Sequence, residues 1–514
     1  MLDNSSWTVR VRASEGFTIA TVSVALFSDV FIYSMIVPIM PDVLVKRAGV
    51  PENEVQGWIS ILLAMFGVFL MIGSPIFGYV SDRSRSRTQL FIFGLIASAA
   101  STALFALVKS PIMLVIGRAL QGLSSAVVAV VGMAFLADSV DKSHVPTAMG
   151  YTSFAITWAI VLGPILGGVV FEKAGYYAAF IIPLVLIFID IIMRLAVIDR
   201  NGYLKSVDRI NNSNADSQCG TPATQAETTP LLQSSHEQQQ LAAVTPEPEL
   251  ETHSPDSEAT VVNVDSKPII YYIFTEPRLL TAFLATFYDA IIFTSFEATL
   301  PLFVMRTFNW TPTQAGLIFL TLSVPSFAGV LFGKAVERFG CKTLGVIGFG
   351  LASIPLTLLA LVEGGTMTSD HGDTTQQQIF LIIFLIFIGF GLQIIYLVAM
   401  TEISHSITEI EAKHYTDTSD DSGGHDASGL GQGYALCNMA YAGGQFAGPL
   451  FGGFLQERLG WVGVHLILGG LTIAMAILTT FFTGRNIFTR RATTGYQEAA
   501  VDEVPASSTT VTER

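Results

Sequence analysis

The sequence predicts an all-α membrane protein whose twelve transmembrane helices form two pseudo-symmetric six-helix bundles. Three observations carry this expectation. The 514 residues are 51% hydrophobic and only 13% charged, whereas soluble domains carry about 25% charged residues to cover a water-facing surface. Apolar runs of the length that crosses roughly 30 Å of hydrocarbon recur along the chain. They are too long and too continuous for the strands of a membrane barrel. Finally, short motifs of the first half return in register in the second.

The apolar runs fall at 17–41, 55–80, 88–108, 111–137, 145–170 and 176–197, and after a polar gap at 278–304, 313–333, 343–363, 379–401, 430–455 and 461–484. The expected organisation is a tail (1–16), a first bundle (17–197), a linker (198–277), a second bundle (278–484) and a second tail (485–514). The linker is rich in Ser, Thr, Gln, Asn, Glu and Pro with few large apolar residues. It cannot bury enough surface to offset its ordering entropy, so disorder is expected there. With both termini in the cytoplasm, six of the 27 Lys and Arg (Lys46, Arg47, Lys109, Lys173, Arg306, Arg458) fall outside and Arg118 falls within a span. The remainder lie on the cytoplasmic side, as the positive-inside rule requires.

Several function classes are disfavoured. A net charge of −14 argues against nucleic acid, and Cys219, Cys341 and Cys437 are too widely spaced to form a metal or disulfide pattern. No Gly-x4-Gly-Lys-Ser/Thr loop is present to hydrolyse ATP, and no His-Glu-x-x-His or Ser/His/Asp arrangement falls within the spans. The expectation is a non-enzymatic protein without cofactor or metal.

The repeats are specific. Gly78-x-x-x-Asp82-Arg83 after span 2 is echoed by Gly333-x-x-x-Glu337-Arg338 after span 8. Gly163-Pro164-x-x-Gly167-Gly168 in span 5 recurs as Gly448-Pro449-x-x-Gly452-Gly453 in span 11. Two echoes at matching positions argue for duplication, the parallel repeat of a two-bundle transporter.

With these residues the chain resembles the major facilitator superfamily. The stretch Gly78 to Arg87 resembles its loop signature between helices 2 and 3, and Arg118-Ala-Leu-Gln121-Gly122 its helix-4 signature. Gly150, Gly163, Pro164, Gly167 and Gly168 match the helix-5 signature of antiporters. A narrower likeness is to the twelve-span drug:proton antiporters, above all their vesicular monoamine transporter-like branch. Asp29, followed by Pro38 and Pro41, and Glu297 in Phe-Glu297-Ala-Thr-Leu-Pro301 match that branch's acidic positions in helices 1 and 7, and Asp190 fits in span 6. The branch also has acids in helices 10 and 11 and a lysine in helix 2. This chain has Tyr396, Asn438 and Phe66 there, which argues against a monoamine neurotransmitter as cargo.

The residues support the same roles. Asp29 falls near the bilayer midplane, where a charge costs at least about 2.5–3.5 kcal/mol and normally faces a cavity or a partner. There it could exchange a proton for a cationic substrate, or serve only as a structural hydrogen-bonding group. Glu297 offers a second carboxylate from the other half, and Tyr396 and Asn438 would shape the cargo site. Arg118 cannot shed its charge and, helped by Gln121, would couple protons to the cavity; the bland alternative is an interfacial anchor. Gly78, Asp82, Arg83 and Arg87, with Gly333, Glu337 and Arg338, would latch the cytoplasmic gate. The glycines around Pro164 and Pro449 have a packing meaning first, letting helices 5 and 8, or 11 and 2, approach closely.

The expected function is proton-coupled efflux of a small lipophilic or cationic organic compound, such as a drug, toxin or secondary metabolite, by alternating access. The protein is expected to act as a monomer in the cell membrane. A vacuolar or vesicular amine/proton exchanger is the rival, with Glu227-Thr-Thr-Pro-Leu231-Leu232 as a candidate sorting signal. A non-transporting sensor on the same fold is the other class. The sequon Asn309-Trp-Thr311 precedes Pro312 in a short loop and is expected to be unoccupied.

Overall fold

The computed structural model describes residues 11–83, 87–141, 144–197, 272, 275–363, 374–414 and 428–484. The expected linker up to residue 271, the dileucine pattern, Cys219, the second tail and most of the first lie outside the described residues. Among those described, all regular structure is helical. The long helices are α1 (Glu15–Met35), α2 (Val55–Arg83), α3 (Arg87–Ala106), α4 (Pro111–Ser139), α5 (Val145–Ala174) and α6 (Ile181–Ala196). The second half contributes α7 (Pro277–Thr307), α8 (Gly329–Phe339), α9 (Cys341–Leu358), α10 (Thr375–His414) and α11 (Ser428–Phe482). Ten described helices are long and apolar enough to span, or eleven if Pro312–Ala328 and Leu331–Phe339 form one bent span.

The helix edges have local causes. Ser14 caps α1 by accepting from the Phe17 N–H at 3.2 Å, and Ser110 caps α4 through Met113 at 3.4 Å. Span 1 is shorter as a helix than its apolar run. After Met35 the chain passes through a 3-10 turn, Val37–Ile39, into a short helix, Met40–Lys46, because Pro38 and Pro41 lack the N–H that would continue the ladder. Span 8 is not one helix either. Pro325 sits in a 3-10 stretch, Val324–Ala328, and the two parts of the span bend by 55°. Spans 11 and 12 run on as one 55-residue helical stretch, interrupted at Gly460, whose φ is 68° and ψ −175°. Gly175, which ends α5 at φ 87°, stands at the same seven-residue offset from Gly168 as Gly460 does from Gly453.

In hydrocarbon the driving force for helix packing is close contact rather than removal of apolar surface from water. α6 shows the consequence. Pro183, Ile187, Asp190 and Arg194 are its buried residues, while Ile181, Phe188, Ile192 and Leu195 are exposed, Phe188 at 64%. Its polar groups face the protein and its large apolar ones face lipid.

The halves meet through glycines. On α1, a Cβ on Gly163 would overlap the Ser34 hydroxyl and one on Gly167 the Met35 backbone, while one on Gly168 would overlap the backbone of Pro312 at the start of span 8. The second half repeats this: Gly448 and Gly452 lie against Ile291, Thr294 and Ser295 of α7, and Gly453 against Ser60 of α2. The motif therefore does more than the expected pairing of helices 5 with 8 and 11 with 2, because two glycines of each set hold the motif helix to its own half. Gly150 does not take part; nothing lies within 4 Å of where its Cβ would be.

These contacts sit toward one end. The largest apolar cluster draws on both halves there, including Met35, Ile59, Leu62, Leu300, Phe303 and Trp461. Toward the other end the clusters separate. One contains residues of the first half alone, around Val22, Phe91 and Val131; two contain residues of the second alone, around Ile403 and Val398. Gly333, like Gly150, has open space beside it at that end. Buried apolar packing thus joins the halves at one end, whereas at the other each described cluster stays within its own half.

Gly167→Leu should cost about 1–3 kcal/mol of stability or prevent folding, since the intruding side chain meets backbone that cannot rotate away. Gly150→Ala should leave stability unchanged. Thermal unfolding of the purified variants in detergent distinguishes the two sites.

Candidate functional site

Where the two halves meet, α1, α4 and α7 present polar side chains at helical spacing. On α1, Asp29 and Tyr33 are four residues apart; on α4, Arg118, Gln121 and Ser125 fall at i, i+3 and i+7. Each set shares one helix face. The two faces meet, since Ser125 Oγ donates to Asp29 Oδ1 at 2.7 Å.

One turn further along α1, the Tyr33 hydroxyl donates to Glu297 Oε2 at 2.6 Å, joining the first half to α7 of the second. Tyr33 and Glu297 are both buried. Arg118 is fully buried, donating through Nη1 to Gln121 Oε1 at 3.0 Å. Its Nε and Nη2 have no hydrogen-bond partner. The guanidinium instead lies 5.2 Å from the Tyr33 ring centre and 5.6 Å from that of Phe105, an arrangement in which π faces stabilise a desolvated cation. It also interacts electrostatically with Glu297. Removing either charge would leave the other buried and uncompensated.

Asp29 is only half-buried. Asp190 of α6, which is buried, is a second carboxylate of the first half. In the second half Asp289 is buried, and its Oδ1 has no partner. Tyr441 of α11 interacts with both Asp289 and Glu297 and packs edge-on against Tyr396 with ring centres 5.9 Å apart. Phe66, standing where the resemblance would place a lysine, packs against Tyr33 with ring centres 4.3 Å apart.

The expected site residues thus divide. Asp29, Glu297, Arg118 and Gln121 come together around Tyr33, while Tyr396 is reached through Tyr441. Asn438 is exposed. Of the expected latch, Arg83 is exposed and stacks on Tyr79 of its own helix at 4.2 Å, and Gly78 approaches only Val130. The side chains of Asp82 and Arg87 lie outside the described residues; Glu337 and Arg338 are exposed. No described contact joins these residues across the seam.

Tyr33, Ser125 and Tyr441 were not singled out from the sequence. Uncharged residues of common types give little signal in apolar runs, although the i+4 relation of Tyr33 to Asp29 was available. At the end where the halves share buried apolar packing, a cleft of about 820 Å³ is lined by residues of both, including Glu54, Gln56, Trp58, Arg306 and Glu457.

The profile of the Major Facilitator Superfamily matches residues 22–416 and 282–511. An MFS-type transporter of Schizosaccharomyces pombe is 30% identical over 484 residues, 93% of this chain and 98% of that protein. The synaptic vesicular amine transporter of Mus musculus is 22% identical over 446 residues, covering 86% of this chain and 69% of its own length. The crystal structure of the nucleoside transporter NupG aligns with a TM-score of 0.58 at 12% identity, covering 90% of this chain and 98% of that one, a likeness of fold alone. With nearly its whole length matched, the chain belongs to the Major Facilitator Superfamily, and is a multi-pass membrane protein of secondary transport.

Proposed function

We propose that this protein exports small lipophilic or cationic organic compounds in exchange for protons, by alternating access between two six-helix halves. Gly460 divides the apolar run Leu436–Phe482 in two, and the bent pair after Pro312 is one span; with the other nine, this makes twelve. With both termini in the cytoplasm, the end where the halves share buried apolar packing faces outward and the other faces the cytoplasm.

The observation that carries the reading is the buried contact between Tyr33 and Glu297 beside Arg118. An ionised Glu297 accepts from Tyr33 and offsets the Arg118 charge, holding the outer end together. A proton arriving at Glu297 would remove the counter-charge and loosen that closure. Proton occupancy is thereby linked to which end is open, the differential that any coupled conformational change requires. Asp29, half-buried and held by Ser125, would receive the positive end of a cargo entering from the cytoplasmic side. Tyr441, Tyr396 and Asp289 extend the polar surface into the second half.

The rival, amine loading of a vacuole or vesicle, draws support from the similarity to the vesicular amine transporter. Its cargo would have to bind with Tyr396 and Asn438 standing where the resemblance would place acids in helices 10 and 11. The cell membrane is the proposed location.

In proteoliposomes carrying a pH gradient, accumulation of a labelled lipophilic cation should follow the gradient and collapse with a protonophore. Asp29→Asn should lower it at least tenfold. Gradient-insensitive movement, or an Asp29→Asn variant as active as wild type, overturns the exchange reading.

The Arg118–Glu297 relation has its own test. Arg118→Gln and Glu297→Gln should each destabilise the purified protein by about 3–5 kcal/mol by stranding a buried charge. The double variant should cost less than the sum. Strict additivity in thermal unfolding would show that the two charges do not interact.

Tyr33→Phe should weaken the outer end by about 1–3 kcal/mol, because Glu297 loses its buried donor. The readout is faster labelling of a cysteine introduced at Gln56 by an impermeant reagent added from outside.

A further inference from the structure

Away from the proposed transport site, at the end where each apolar cluster stays within one half, helices of the second half bring together a thiol, a carboxylate and an imidazole. We infer that Cys341, Glu402 and His405 form a binding site for a borderline-soft divalent cation of the zinc class. Their ligand atoms (Cys341 Sγ, a Glu402 oxygen and a His405 ring nitrogen) all lie within 4.8 Å of one another. A tetrahedral zinc ion holds such atoms roughly 3.3–3.6 Å apart, given bond lengths of about 2.0–2.3 Å. The required adjustment is about 1.5 Å or less, within reach of a rotation of the exposed His405 side chain.

The surroundings fit a metal rather than a chance cluster. Glu402 is only 1% exposed, and its two oxygens are treated differently. Oε1 accepts from Arg278 Nε and from the Gly484 N–H, the latter at 3.0 Å, whereas Oε2 has no hydrogen-bond partner. An ionised carboxylate with one oxygen doubly held and the other bare is oriented as a metal ligand is by its outer partners. Glu402 and His405, three residues apart on α10, share a helix face, the Glu-x-x-His spacing by which helices present two ligands to one metal. Cys341 comes from the first turn of α9.

Charge also closes. Arg278 bonds both Glu402 and Glu409, the latter at 2.9 Å. With the thiol ionised, these side chains carry three negative charges and one positive, which a divalent cation cancels. Binding replaces the thiol proton with the metal and releases that proton to water, with no change of oxidation state. The other group of this type among the described residues, Glu15, Asp141 and His144, lacks a buried ligand, since all three are partly or fully exposed.

The inference stands independently of what the transporter carries. The test uses the full chain purified through a tag without histidine, stripped with a chelator and titrated with Co²⁺ and then Zn²⁺. One Co²⁺ per chain should bind with a near-ultraviolet thiolate charge-transfer band and visible bands of tetrahedral intensity, and Zn²⁺ should displace it. Cys341→Ser should abolish the charge-transfer band, His405→Ala should weaken binding at least tenfold, and Cys437→Ser should change neither. Should Cys341→Ser fail to fold, His405→Ala, altered at an exposed position, decides through the affinity alone. Absence of a thiolate band in wild type, a band that survives Cys341→Ser, or unchanged affinity in His405→Ala overturns the site.

Discussion

Everything in this molecule hangs on the approach of α5 and α11 to their neighbours without intervening side chains. In lipid, helices gain little from hiding apolar surface, so affinity comes from close contact. In the α5 set Gly167 and Gly168 meet backbone directly and Gly163 meets Ser34; in the α11 set Gly448 meets backbone, and Gly452 and Gly453 meet Ser295 and Ser60. Each set binds its helix to its own half through two glycines and reaches the other half through the third. One motif thus builds the bundle and forms the seam.

That seam is also where transport chemistry can be coupled to movement. The glycine contacts lie toward the end where the halves share buried apolar packing, and the polar groups sit beside that packing. In the proposed mechanism, a buried guanidinium and a buried carboxylate belonging to opposite halves hold the seam only while both are charged. The Tyr33 hydroxyl is the mechanical link, since it belongs to the helix bearing Asp29 and bonds the acid of α7. A charge relation spanning the seam is sensitive to protons in a way that packing is not. On the proposed reading, packing supplies the two alternative arrangements and the charges choose between them.

Much of this was legible in the chain. Span positions follow from hydropathy because lipid forces long apolar helices, and the glycine sets announced themselves by repeating. Asp29, Glu297 and Arg118 stood out because charge in hydrocarbon is costly enough to need a reason. What the sequence left hidden was of another kind. Breaks such as that at Pro325 depend on whether neighbouring helices support a bent segment, and Tyr33 and Ser125 are ordinary residues whose importance comes from the atoms opposite them. Gly150 satisfied a motif yet meets nothing, because a pattern of small residues records that close approach is allowed and leaves open whether it occurs.

The Cys341, Glu402 and His405 cluster extends this point. Metal sites are recognised in sequences by short ligand spacings, and only Glu402 and His405 have one; the thiol arrives from a different helix sixty-odd residues earlier. What brings it there is the turn at Gly340, whose φ of 82° lets α9 begin directly after α8. The same turn, the Arg278 pair and the Gly484 N–H gather the ends of α7, α9, α10 and α11 around one carboxylate. All of these elements belong to the second half, so a cation bound there would stiffen that half as a body without joining it to the first. Metal occupancy and alternating access therefore need not oppose one another: the ion would act on the rigidity of one moving part, while the Arg118 and Glu297 charges act on the seam between the two.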